Sequence, residues 1–181
     1  MTTRFFLRLA AALAGFIGVI LLIGTVLPRA YTLETEIEIA ATPSEIFPFL
    51  NNLNNWQQWS SYGSAVNPDI NLKSGPKVEG LDASMSWSEK RGSGKLWIIK
   101  SDENREVTYA VDFANFPRMD SQISLEPIDA KKTKVRWSSS GNLPRGPFYG
   151  WFGRYFAGAL RADYQTSLTR LKSLVERRPS D

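Results

Sequence analysis

The sequence predicts an α+β protein, an antiparallel sheet with one long C-terminal helix laid against it, preceded by a separate apolar helix. Three observations carry this. Residues 9–27 form an apolar run without a charge. The middle of the chain alternates apolar and polar side chains in short segments between turn residues, as closely paired antiparallel strands do. Residues 152–175 return apolar side chains every three or four positions, as an amphipathic helix does.

The first element is the run Leu9–Leu27, 19 residues long with Thr25 as its only hydroxyl. A helix needs about 20 residues to cross the hydrocarbon core of a bilayer. Phe5, Phe6 and Leu7 extend the run past Arg8, whose side chain can snorkel, and Pro28 stops it. The run exceeds the usual core of a cleaved signal peptide, and Leu27-Pro28-Arg29-Ala30 offers poor residues for cleavage. A retained spanning helix is therefore expected over a cleaved signal or a buried soluble helix. Arg4 and Arg8 before the run, against Arg29 after it, orient the N-terminus to the inside. The expected location is the inner, cytoplasmic membrane, single-pass, with the main domain periplasmic or extracellular. Gly15, Gly18 and Gly24 are available for helix packing, although their spacing misses GxxxG.

The first strand is Thr32–Ile39, with Leu33, Thr35, Ile37 and Ile39 on one face and Glu34, Glu36 and Glu38 on the other. Thr42-Pro43-Ser44-Glu45 then has the capping residues of a helix start, and Ile46, Phe47 and Leu50 give that short helix an apolar side. A second short helix is expected over Asn54–Trp59. Asn67-Pro68-Asp69 and Ser74-Gly75-Pro76 read as turns. Strands follow at 83–88, 95–101, 106–113, 119–126 and 134–140, with Arg91-Gly92-Ser93-Gly94 read as a turn. The last helix carries a stripe of Phe152, Tyr155, Phe156, Ala159, Leu160, Tyr164, Leu168, Leu171, Leu174 and Val175, and Pro144, Gly146, Pro147 and Gly150 form the loop before it.

Composition narrows the function. The 181 residues contain no His and no Cys. That excludes the commonest general base near neutral pH, thiol nucleophiles, disulfides and ordinary zinc sites. No metal site and no cofactor are expected. The chain holds 22 Lys+Arg against 18 Asp+Glu, but Arg4, Arg8 and Arg29 supply three of the excess cations before any acid occurs. The rest is nearly neutral, which argues against nucleic acid as a partner.

The order of elements, with particular residues in it, resembles the SRPBCC or START-like (Bet v 1-type) superfamily, in its polyketide cyclase/dehydrase-like bacterial branch. Ile37–Phe47 is similar to that family's opening strand and helix start. Trp56-Gln57-Gln58-Trp59-Ser60 is similar to its W-x-x-W-S segment. Asn67-Pro68-Asp69, Ser74-Gly75-Pro76 and Met85-Ser86-Trp87 resemble its D-P, G-P and Y-x-W stretch, and Val135-Arg136-Trp137 with Pro147-Phe148 also fits. Leu81-Asp82 departs from the Gly-Ala pair usual there. The resemblance spans Tyr31–Glu176 and implies a helix-grip fold, a curved antiparallel sheet wrapped around the C-terminal helix with an apolar cavity between them.

The expected organisation is then an anchor at 1–30, a hydrophobic-ligand-binding domain at 31–177 and a tail at 178–181. The candidate cavity lining is Trp56, Trp59, Tyr62, Trp87, Trp97, Phe113, Phe116, Trp137, Phe156, Leu160 and Tyr164, any of which can equally be plain core, since aromatics dominate cores. Trp56, Trp59 and Tyr62 are the strongest candidates for a gate. Expected partners are a hydrophobic small molecule (lipid, isoprenoid, quinone or polyketide-like) and the bilayer through residues 9–27. The alternatives are a cyclase/dehydrase-type enzyme using carboxylates, or a non-catalytic envelope interaction module. Asp69, Asp82, Asp112, Asp120, Asp163 and Tyr109 are the titratable candidates, and none sits in a catalytic motif.

Overall fold

The computed structural model describes residues 2–61, 63–64, 67–90, 92–114 and 117–177, without the side chains of Thr2, Phe152, Arg154 and Phe156. The uncharged run forms α1 (Thr2–Val26). Residues 3–26 are long and apolar enough to cross a membrane, and almost none of that surface is covered by the rest of the chain. Gly15 and Gly18 face open space, whereas Gly24 lies against the start of the last helix.

Strand β1 (Ala30–Ile39) shows the predicted alternation, with Leu33, Thr35 and Ile39 buried and all three glutamates exposed. Helix α2 (Pro43–Asn51) begins as its capping residues require. The Glu45 carboxylate accepts from Thr42 N at 2.6 Å and from Thr42 Oγ1 at 2.8 Å. These bonds hold the Glu45 carboxyl below its usual range.

Helix α3 (Leu53–Trp59) follows at once and completes the end of α2. The last four carbonyls of a helix lack partners within it. Here Pro48 O accepts from Asn55 Nδ2 (2.9 Å), Phe49 O from Trp59 Nε1 (3.1 Å) and Leu50 O from Trp56 Nε1 (2.8 Å), while Asn51 O accepts from Gly80 N (3.0 Å). Two tryptophans thus cap one helix while sitting in the next.

The remaining strands are β2 (Asn71–Ser74), β3 (Ser84–Glu89), β4 (Gly92–Asp102), β5 (Glu106–Phe113), β6 (Met119–Asp129) and β7 (Lys132–Asn142). They form one seven-stranded antiparallel sheet in the order β1-β7-β6-β5-β4-β3-β2. Consecutive strands pair as a meander, and β1 closes on β7 with Ile37 opposite Val135 and Leu33 opposite Ser139.

One turn expectation needs correction. The Gly92-Ser93-Gly94 stretch belongs to β4, not to a turn, pairing Gly94 with both Trp87 and Phe113. Its glycine serves close approach. A Cβ at Gly94 would lie 2.4 Å from the Trp87 ring, so only glycine lets that indole lie flat across the strand. The departure at Leu81-Asp82 is a left-handed turn, with Asp82 at φ 67°.

Helix α4 (Tyr149–Val175) runs along β1 and α3. Leu160, Tyr164, Leu168, Leu171 and Val175 are buried in the main core with Leu33, Ile39, Ile98, Val111 and Ile123 from the sheet. Its C-terminus is tied down where Glu176 accepts from Ala40 N (2.8 Å) and Lys172 Nζ (2.6 Å), and Lys172 also donates to Glu38 O (2.7 Å). The stripe fails at one end. Tyr155 is 76% exposed and Ala159 is exposed, because the first turns of α4 abut the end of α1 and turn this face outward.

Candidate functional site

The described aromatics fall in two different environments. The one beside α3 is filled. Trp56, Trp59, Tyr109, Trp137 and Tyr164 are buried and pack ring to ring, with centroid separations of 5.1 Å for Trp56–Trp59, 5.0 Å for Trp56–Tyr109 and 5.7 Å for Trp59–Trp137. Trp137 and Tyr164 stack in parallel at 3.9 Å.

Their polar atoms find partners within the protein, those of Trp56 and Trp59 in the α2 carbonyls. Trp137 Nε1 donates to Tyr109 Oη at 2.8 Å, and Tyr164 Oη bonds Ser139 Oγ at 2.7 Å and Ser121 Oγ at 3.3 Å. Ser121 and Ser139 bond each other across β6 and β7. Burial pushes the Tyr164 hydroxyl well above its ordinary value, so it stays neutral and keeps its role in this network.

Around the ends of β3, β4 and β5 the surface is open. A groove of about 710 Å³ is lined by Trp87 and Ser86 on β3, Ser93, Gly94 and Lys95 on β4, Asp112 and Phe113 on β5, then Ala114, Pro117 and Pro144 from two loops. Trp87 and Phe113 form its aromatic wall, edge to face at 5.6 Å. The volume falls within the range of small-molecule sites. The surface is mostly apolar with two hydroxyls, and Lys95 and Asp112 are exposed neighbours across β4 and β5. Such a surface can hold an apolar body and orient a few polar atoms on it.

The predicted lining residues therefore divide. Trp56, Trp59, Trp137 and Tyr164 come together in the filled cluster, with Leu160 buried one turn before Tyr164. Trp87 and Phe113 line the groove. Trp97 is on the opposite face of β4 from buried Leu96 and Ile98, beneath the cations of Lys95 (5.7 Å) and Arg118 (5.3 Å). Tyr62 and Phe116 lie outside the described residues, and for Phe156 only the backbone, within α4, is described.

The titratable candidates scatter. Asp69, Asp82, Asp112, Asp120 and Asp163 are exposed, and Asp163 points away from its buried neighbour Tyr164. Asp120 pairs with Arg118 at 2.7 Å. Among the described residues no group of three or more His, Cys, Asp or Glu could hold a metal ion. Sequence reasoning missed Ser86, Ser93, Pro117 and Pro144, which come from four separate segments and carry no shared pattern.

Residues 30–176 match the sequence profile described as polyketide cyclase/dehydrase and lipid transport. The chain belongs to this family. Solved structures share the fold. The aromatase/cyclase Zhui from Streptomyces sp. R1128 superposes with a TM-score of 0.62 at 11% identity, covering 82% of this chain and 95% of its own. Norcoclaurine synthase from Thalictrum flavum, solved with dopamine and hydroxybenzaldehyde, gives 0.62 at 14%, covering 88% and 94%. Protein MLL2253 from Mesorhizobium loti gives 0.61 at 16%, covering 83% and 100%. No curated protein matches the sequence significantly. The family member described here is thus a helix-grip domain with an added apolar N-terminal helix.

Proposed function

We propose that residues 31–177 bind an apolar small molecule in the groove walled by Trp87 and Phe113, and that residues 1–30 tether this domain to the inner membrane of a bacterium. The ligand class is a lipid, isoprenoid, quinone or polyketide-like molecule. The observation that carries the reading is the contrast between the two environments. One is filled by aromatics whose polar atoms are satisfied internally, while the other leaves an apolar groove with few polar groups. The family's description includes both cyclase and lipid transport, and both need such a site. An N-terminus in the cytoplasm and a main domain on the periplasmic or extracellular side agree with Arg4 and Arg8 preceding the apolar run.

Full-length chain, purified and extracted with organic solvent, is expected to yield a defined apolar compound by mass spectrometry. Ala114→Trp, at an exposed position on the groove rim, places bulk in the groove and is expected to lower the yield at least about tenfold, the loss of roughly 1.4 kcal/mol of binding. Equal recovery from variant and native chain, or none from the native chain, would sink the groove as the site. Any turnover found on the recovered compound would turn attention to Asp112, the carboxylate of the groove lining. Loss of turnover in Asp112→Asn with ligand still recovered from that variant indicates an enzyme, and unchanged turnover excludes this carboxylate.

A further inference from the structure

The first turns of α4 present three large aromatic side chains to the outside. Phe148 is 70% exposed, Trp151 45% and Tyr155 76%. Their spacing of three and then four residues puts them on one face of the helix. A soluble domain rarely exposes such a patch without a use for it.

This patch adjoins α1. Trp151 Nε1 donates to Ile20 O at 3.1 Å. On the inner side Gly24 and Gly150 bring the two backbones together, so that a Cβ at Gly150 would lie 2.4 Å from Gly24 O and one at Gly24 would lie 1.8 Å from Pro147 O. The contact occurs well inside the apolar helix. Ile20 lies six residues, or about 9 Å, before the end of α1 at Val26.

We propose that the Phe148/Trp151/Tyr155 face is a second membrane contact, seated in the headgroup–acyl boundary of the same bilayer that α1 crosses. The inference rests on the tethering proposed above. Its occupant is lipid because the patch is continuous with the apolar surface of α1, most of which is uncovered. Its depth agrees with the 5–10 Å at which interfacial helices lie. Trp and Tyr are the residues whose amphipathic rings sit at that level, and exposed Arg145 just ahead of the patch can meet headgroup phosphates. Pro144, on the groove rim, is four residues before Phe148. A seated patch therefore holds that rim at the bilayer surface, where an apolar ligand partitions.

The absence of cysteine makes the test clean. Single variants Leu13→Cys, Phe148→Cys, Tyr155→Cys and Ile128→Cys, all at exposed positions, are labelled with an environment-sensitive fluorophore in full-length protein. The protein is reconstituted into phosphatidylcholine/phosphatidylglycerol vesicles. Aqueous iodide is then expected to quench the labels at 148 and 155 at least about fivefold less than the label at 128, while nitroxide-bearing lipids quench them strongly. Equal iodide quenching at 148, 155 and 128, with the label at 13 still protected, overturns the second contact and leaves the tether standing. Exposure of the label at 13 overturns the tether instead. Protection at 155 that vanishes on dilution to one chain per vesicle assigns the patch to a second copy of this chain and also overturns the inference.

Discussion

Trp137 touches more of the filled cluster than any other ring, contacting Trp56, Trp59, Tyr109 and Tyr164 while donating its N–H to Tyr109. Trp137→Ala removes all of these contacts and one donor to the Tyr109 hydroxyl. A loss of about 3–5 kcal/mol is expected, read as a lower urea midpoint for the full chain in nanodiscs. Tyr31 offers a different probe. Burial, then the neighbouring Tyr164, pushes its hydroxyl from 10.0 up to about 12. The folded chain therefore keeps a proton that the unfolded chain releases, so stability is intact below pH 10 and falls as pH rises toward 12. An absorbance titration near 295 nm should show phenols titrating late, Tyr31 and the more deeply buried Tyr164 among them, and Tyr31→Phe should remove one late step and reduce the alkaline loss. Which tryptophans are core and which line a groove is not written in their neighbours in sequence. Trp56 and Trp59 sit in a short polar segment, and the carbonyls that claim their N–H groups belong to the helix before it.

Elements are held together by their ends. Glu176 links the foot of α4 to the β1–α2 corner, and hydrogen bonds from Ala40 N and Lys172 hold its carboxyl below the usual range. A depressed folded-state value means that this tie is fully present above the ordinary carboxylate pKa of 4.5 and is lost as pH falls through the lower folded value. Glu176→Gln should accordingly flatten the acid limb of a melting-temperature–pH profile. At the other end of α4, the glycine contact with α1 tolerates no side chain. Gly150→Leu is expected to splay the two helices and expose the joint, raising tryptic cleavage at Arg29 severalfold over the native chain in the same vesicles. The capping box of α2 and the alternation of β1 were legible beforehand, because both are set by residues within four positions of one another. The strand role of Gly92–Gly94 was not, since the Trp87 ring that demands glycine arrives from the neighbouring strand.

The whole molecule joins a helix-grip fold with its own core to an apolar helix. Among the described residues none of α1 belongs to the main core, which runs from Leu33 to Val175. A chain beginning at Ala30 should therefore keep its sheet and melt cooperatively within about 4 °C of the full-length protein, as circular dichroism can check. A non-cooperative melt would show that α1 is needed for the fold. Such a truncated chain should also self-associate, because it leaves Phe148, Trp151 and Tyr155 facing water without their neighbouring helix.

Most of the secondary structure, the likeness to a helix-grip family and the apolar N-terminal run were readable from residue pattern alone, whereas strand β2 and the first residues of β4 were not. Periodicities of two and 3.6, capping residues and the length of an uncharged run depend on contacts that are near in sequence. The division of the aromatics was settled by packing. Trp137 meets Tyr164, 27 positions further along the chain, and Trp97 turns outward because strand alternation gives the inner face to Leu96 and Ile98. The groove arises the same way, from segments far apart in the chain, whereas the aromatic patch on α4 comes from one short stretch whose exposure the packing decides.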